Sequence, residues 1–157
     1  MLRKMEQTKE QLAGKHQALD AFINARQNLL VEYIRLSTNQ KTQPTPEELS
    51  EFCGQLVDYV CAGHFEIYDY VMAAYEASRG NARILAERIY PRLKQSAGEA
   101  LNFHDKYAQV DEDTLLELEL DQDLGQLGEM LEERFELEDR LVSAISLLNH
   151  LDTGEPA

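Results

Sequence analysis

Arg26, His104, Arg134 and Glu138 are the residues of this chain whose types and spacing could do chemistry, because each interrupts an otherwise apolar helical stripe. Arg26 lies between Phe22 and Leu30, and His104 follows Phe103. Arg134 and Glu138 stand between Leu131 and Leu141, where steps of three and four ask for apolar groups. Two guanidiniums, an imidazole and a carboxylate inside one bundle admit two readings. One is an ion-pair network that fixes helix register, since an unpaired buried charge is costly and must meet a partner or water. The other is a cavity for a small ligand or a metal.

Inward acids in a four-helix bundle can hold two irons, but that chemistry needs Glu-x-x-His pairs on two helices. The residues three before His16, His64, His104 and His150 are Ala13, Cys61, Leu101 and Leu147, so the pattern is missing. His64 reads as a bundle residue satisfied by hydrogen bonds. Cys53 and Cys61 would sit about 12 Å apart on one helix, beyond the roughly 7 Å reach of a disulfide, and read as reduced, buried thiols. A C-x7-C spacing without clustered His is not a zinc site. The sequence also lacks a phosphate-cradling glycine loop, G-x-S-x-G and H-E-x-x-H. The expectation is a protein without catalysis, metal or cofactor.

The elements that must position these groups are helices. Leu19, Phe22, Ile23, Leu29, Leu30, Tyr33 and Leu36 mark an amphipathic helix that begins upstream and stops near Ser37. Residues 37–46 hold two prolines and no apolar residue, and read as a loop. Thr45-Pro46-Glu47-Glu48 then starts a helix, with Thr at the N-cap, Pro first and acids where the dipole favours them. Its stripe, Leu49, Phe52, Leu56, Tyr59, Gly63, Ile67, Tyr70 and Ala74, predicts one helix to about Ser78, ended by Gly80. A short helix over Asn81–Ile89 is expected to stop at Pro91. That proline opens the next, which carries Leu93, Ala97, Ala100, Phe103 and Tyr107. Asp111–Asp123 is a helical or irregular connection. The last helix spans Leu124 to Leu148, and the tail from Leu151 should fray. The predicted fold is all-α: one domain over 1–157, a four-helix-bundle-like core of long antiparallel helices with short additional helices.

The sequence of 157 residues carries 15 Lys and Arg against 29 Asp and Glu, a net charge of −14. Nearly all the excess lies in residues 111–139, where one base, Arg134, faces 13 acids. Such a chain repels nucleic acid and anionic lipid, so neither is an expected direct partner. No run of about 18 apolar residues is present to cross a bilayer, and the charged opening Met1–Glu10 is unlike a secretory signal, which points to the cytoplasm. The acidic tract is either a solvated face or a docking surface for a basic partner. The second long helix adds a second clue. Opposite its core stripe lie Cys61, Ala62, Phe65, Tyr68 and Met72, flanked by Asp58 and Asp69. Either the chain's own short helices cover that face or another protein does.

Those residues also carry a family likeness. FCGQLVDYVCAGHFEIYDYV from Phe52 to Val71, LGEMLEERFELEDRLV from Leu127 to Val142 and ARQNLLVEY from Ala25 to Tyr33 resemble the Rsd/AlgQ family, regulators of sigma D. The likeness runs in order across nearly the whole chain, and departs from it in the loop 37–46 and the tail. It implies an all-helical bacterial anti-sigma factor. Such a protein binds region four of the primary sigma factor and blocks its contacts with core polymerase and the −35 element as growth slows. It also implies, as alternative partners, a phosphotransferase phosphocarrier protein or the hydrolase of the alarmone ppGpp. A basic helix-turn-helix suits an acidic, partly apolar surface. The expected sigma contacts are Asp58, Phe65, Tyr68, Asp69 and Met72, with Phe22 and Tyr33 where those side chains are not core. A monomer forming a 1:1 complex is expected.

Overall fold

The computed structural model describes residues 17–38, 43–62 and 81–152. Helix α1 spans Gln17–Thr38, α2 Pro46–Ala62, α3 Asn81–Tyr107, α4 Glu112–Glu117 and α5 Leu120–Asp152; no strand occurs among the described residues. α1 buries Phe22, Ile23, Arg26, Leu29, Leu30 and Leu36, the three-four stripe of an amphipathic helix. α2 starts as its sequence predicts. The Glu48 N–H donates to Thr45 Oγ1 at 3.2 Å, and the Leu49 N–H to the Thr45 carbonyl at 3.0 Å. A cap of this kind contributes about 1 kcal/mol. The predicted continuation of this helix from Gly63 to Ser78 lies outside the described residues.

Pro91 does not divide α3. The helix runs through it because Ile89, Leu93, Ser96, Ala100, Phe103 and Tyr107 form one buried stripe in phase on both sides of the proline. The ring itself is exposed. A proline inside a helix costs about 3 kcal/mol, and burial of Ile89 and Leu93 at about 1.5–3 kcal/mol each offsets that. The acidic connection also takes a definite form. Asp111 caps α4 by accepting from the Thr114 N–H at 2.7 Å, Leu115 is buried, and the Leu118 N–H closes the end on the Leu115 carbonyl at 3.2 Å. That hydrogen bond from Thr114 is the main reason the Asp111 carboxyl is held below its ordinary pKa. α5 begins at Leu120, four residues before the first stripe leucine, and continues through Leu151 and Asp152, where a frayed tail is predicted.

α1 packs on α2 and α5, α2 on α3, and α3 on α5, which closes a ring of four helices. Ring contacts and hydrogen bonds fix the directions. Phe22 stacks on Tyr59 with centroids 4.9 Å apart while Tyr33 meets Phe52, so α1 and α2 are antiparallel. Arg134 reaches Leu93 and Tyr107 reaches Asp123, so α3 and α5 are antiparallel too. Phe52 meets Phe103 edge-on at 6.0 Å, and Tyr59 meets Phe135 edge-on at 5.9 Å. One glycine is required by this packing: a Cβ on Gly128 would lie 2.1 Å from Tyr33 Oη, whose hydroxyl donates to the Leu124 carbonyl at 2.8 Å.

Candidate functional site

The bundle interior holds a charged node to which all four long helices contribute. Arg26 of α1 is 1% exposed, Arg134 of α5 0% and Glu138 of α5 1%. Arg26 Nη2 lies 2.8 Å from Asp139 Oδ1, and Arg26 Nη1 lies 3.9 Å from Glu138 Oε1. Arg134 Nε lies 3.6 Å from Glu138 Oε2, one helical turn along. From α2 the Tyr59 hydroxyl donates to Glu138 Oε1 at 2.5 Å. Arg134 Nη1 donates to Ser96 Oγ at 2.6 Å and to the Leu93 carbonyl at 3.1 Å on α3. The Arg26 guanidinium also lies 5.3 Å from the Phe135 ring centroid, and that of Arg134 5.9 Å from the Tyr59 ring. Burial acts to lower the Arg26 pKa, but Tyr59, Glu138 and Asp139 outweigh it and raise the value above the ordinary one. Two guanidiniums face two carboxylates, so the node is charge-balanced. Beside it, a crevice of about 70 Å³ lined by Ser96, Met130, Arg134 and Leu137 opens between α3 and α5.

His104 does not join them. Its side chain is 37% exposed and its Nδ1 stands 3.5 Å from Asp105 Oδ1. The buried stripe of α3 runs through Ala100, Phe103 and Tyr107, and His104 sits 100° round from Phe103 on the flank. The polar contact at this end of the bundle belongs to other residues. Tyr107 donates to Asp123 Oδ2, and Lys106 Nζ lies 2.6 Å from the same oxygen. Burial and the Asp123 carboxylate raise the Tyr107 pKa. Burial acts to raise the Asp123 pKa, but hydrogen bonds from Lys106 and Tyr107 overcome this and lower it. Asp123 is one of two first-turn acids of α5, and a Lys-Tyr pair closing α3 was the available signal for it.

Of the seven residues expected at a partner surface, the structure describes three. Phe22 is 3% exposed and stacked on Tyr59, so it belongs to the core and offers no surface. Tyr33 is partly buried, its ring filling the space over Gly128. Asp58 is exposed on the outward side of α2. Phe65, Tyr68, Asp69 and Met72 lie outside the described residues, as does His64. Cys53 is buried, which pushes its thiol pKa up to about 11, whereas Cys61 is exposed rather than buried, on the same side as Asp58. α2 displays Glu47, Glu48, Glu51 and Asp58 to solvent and contains no base. α5 adds exposed Glu129, Glu132, Glu133 and Glu136. Among the described residues, no group of three His, Cys, Asp or Glu is placed to hold a metal, and no helix is long and apolar enough to cross a membrane.

Among the described residues, an acidic, all-helical surface thus surrounds a charge-balanced interior. The family described as regulator of the RNA polymerase sigma(70) subunit, Rsd/AlgQ, matches residues 1–146. A protein named regulator of sigma D from Yersinia enterocolitica is 35% identical over 147 residues, covering 90% of this chain and 88% of its own. Relatives of the same name from Yersinia pestis and from an Enterobacter species are each 34% identical. They cover 90% and 96% of this chain, and 87% and 93% of their own lengths. This family is one of regulatory proteins, not of enzymes. With a match that takes in the first three bundle helices and most of the last, the chain belongs to the Rsd/AlgQ family.

Proposed function

We propose that this protein is an anti-sigma factor acting in the bacterial cytoplasm. It binds region four of the primary sigma factor, keeps that domain from core polymerase and from the −35 element, and does so at the transition to stationary phase. The observation that carries the reading is the family match over residues 1–146. The surface chemistry supports it. A domain that reads DNA through a helix-turn-helix is basic, and α2 presents four exposed acids with no base among them. Opposite charge speeds encounter and rejects acidic competitors, while apolar contact sets residence time. The proposed sigma contacts are Asp58 on α2, Phe65, Tyr68, Asp69 and Met72 further along the chain, and Tyr33 of α1.

Calorimetric titration with the isolated region-four domain of the host's primary sigma factor tests this. A 1:1 complex that weakens as salt rises is the expected result. Absence of heat in dilute buffer overturns it. The same titration with the phosphocarrier protein or with the alarmone hydrolase separates the alternative regulatory partners from sigma.

A further inference from the structure

Opposite its buried stripe, α1 carries an exposed face almost without charge. Among its described residues the one exposed charged side chain is Arg35, whose Nη1 lies 3.5 Å from Glu32 Oε1. Gln27, Val31, Ile34 and Thr38 follow at steps of four, three and four, so they share one outward stripe. In it Val31 is 50% exposed and Ile34 42%. The other large apolar side chains exposed among the described residues, Ile84, Leu101 and Leu116, stand far apart along the chain, so Val31 and Ile34 form the one aliphatic patch on adjacent turns of a helix. The two helices packed beside α1 are acidic. Tyr33 fixes the height, since it meets Phe52 of α2 and bonds to the Leu124 carbonyl of α5. Glu48 and Glu51 are exposed within a turn of Phe52. On α5, Asp121 and Glu132 are exposed about three turns apart on one side of the helix, and they bracket Leu124 and Gly128. A neutral, partly aliphatic stripe therefore runs between two acidic margins.

We infer that Val31 and Ile34 are the apolar anchor of the sigma contact. Apolar side chains of the region-four domain pack on them, while its lysines and arginines reach the acids of α2 and α5 on either side. This rests on the anti-sigma reading above. It gives α1 an apolar contribution that Phe22, being core, does not supply. A protein interface is depleted of charge at its centre and polar at its rim, and the stripe with its margins has that arrangement for a basic partner. A second copy of the chain is the poorer occupant. It brings a net charge of −14, and two half-exposed aliphatic side chains fall well short of the ~800 Å² per partner of a standard interface. The arrangement has a kinetic signature, because opposite charges set the rate of encounter and apolar contact sets the rate of dissociation.

The test measures association and dissociation rates of the full chain with the purified primary sigma factor. Val31→Ser combined with Ile34→Ser is expected to speed dissociation about tenfold and to leave the association rate within about twofold. Asp58→Lys does the converse, slowing association and flattening its dependence on salt. Ile84→Ser combined with Leu101→Ser, a comparable loss of exposed aliphatic surface on α3, changes neither rate by more than about twofold. Gln27→Lys keeps both aliphatic side chains but sets a cation in the neutral stripe, and weakens binding about tenfold. A parental dissociation rate after the Val31 and Ile34 substitutions, an equal effect from the α3 pair, or normal binding by Gln27→Lys each overturns this inference and leaves the anti-sigma reading standing. So does sigma-free dimerisation in sedimentation that the Val31 and Ile34 substitutions abolish. A parent chain that ignores sigma overturns both.

Discussion

Guanidinium and carboxylate appear together both in the middle of this bundle and on its skin, and they do different things there. Inside, Arg26 and Arg134 meet Glu138 and Asp139 within 4 Å, and Tyr59 and Ser96 take up further valences. Outside, Arg92 pairs with Glu133 while both side chains stay about half exposed. Around that pair acids predominate, as along α2. Water screens the outer charges over roughly 8 Å at physiological salt and cannot reach the inner ones. The inner set therefore fixes geometry, and the outer set stays in contact with solvent, where a partner could meet it.

The contrast is broken most readily at Glu138. Glu138→Ala leaves two buried guanidiniums without their shared acceptor and is expected to cost about 3–5 kcal/mol, read as a lower urea midpoint. Pairing Arg134→Met with Glu138→Leu recovers much of that loss, because the double variant removes the charge together with its partner. A loss below about 1 kcal/mol from Glu138→Ala would make the inner charges no different from the outer ones. Next comes Asp58→Lys. It should weaken the complex with region four about tenfold, roughly 1.4 kcal/mol, and leave the urea midpoint unchanged. Unaltered binding removes α2 from the sigma surface.

Asp123 is intermediate, 20% exposed and bound by Lys106 and Tyr107. Asp123→Asn should cost about 1 kcal/mol at neutral pH. Its carboxyl pKa is lowered in the folded chain, so the contribution is present above the unfolded value near 4. It is lost as pH falls through the folded value. The urea midpoints of parent and variant should accordingly converge as pH falls below the unfolded value and through the lower folded one, and a gap that persists in strong acid points to lost packing instead. Smallest is Glu133→Gln, which opens the exposed pair with Arg92 and should change stability by less than about 0.5 kcal/mol.

What the sequence disclosed followed from periodicity. Arg26, Arg134 and Glu138 stood out because a stripe with steps of three and four left no other place for them. Their partners did not stand out. Tyr59 passes for an apolar stripe residue, and its bond to Glu138 joins positions 79 apart, so only the topology of the ring reveals it. His104 was misplaced by a single residue's rotation, which is enough to carry a side chain from the interior to the flank. Pro91 misled in the opposite direction: a local rule predicted a stop where the stripe on both sides continued. The surface is the least legible part, since exposure depends on neighbours that periodicity does not name. Phe22, an expected contact, is core, and Cys61, an expected core thiol, is exposed.

Arg26 enters the chain early, while the groups that neutralise it, Glu138 and Asp139, are more than a hundred residues further on. During synthesis the first three bundle helices leave the ribosome with a cation pointing into their shared interior and nothing to answer it. A nascent chain that ends before α5 can seat α1 against α2 but leaves the Arg26 guanidinium without Glu138 and Asp139. Closure of the four-helix ring waits for the last helix, and a chain truncated before it is expected to be cut faster by proteases than the full chain.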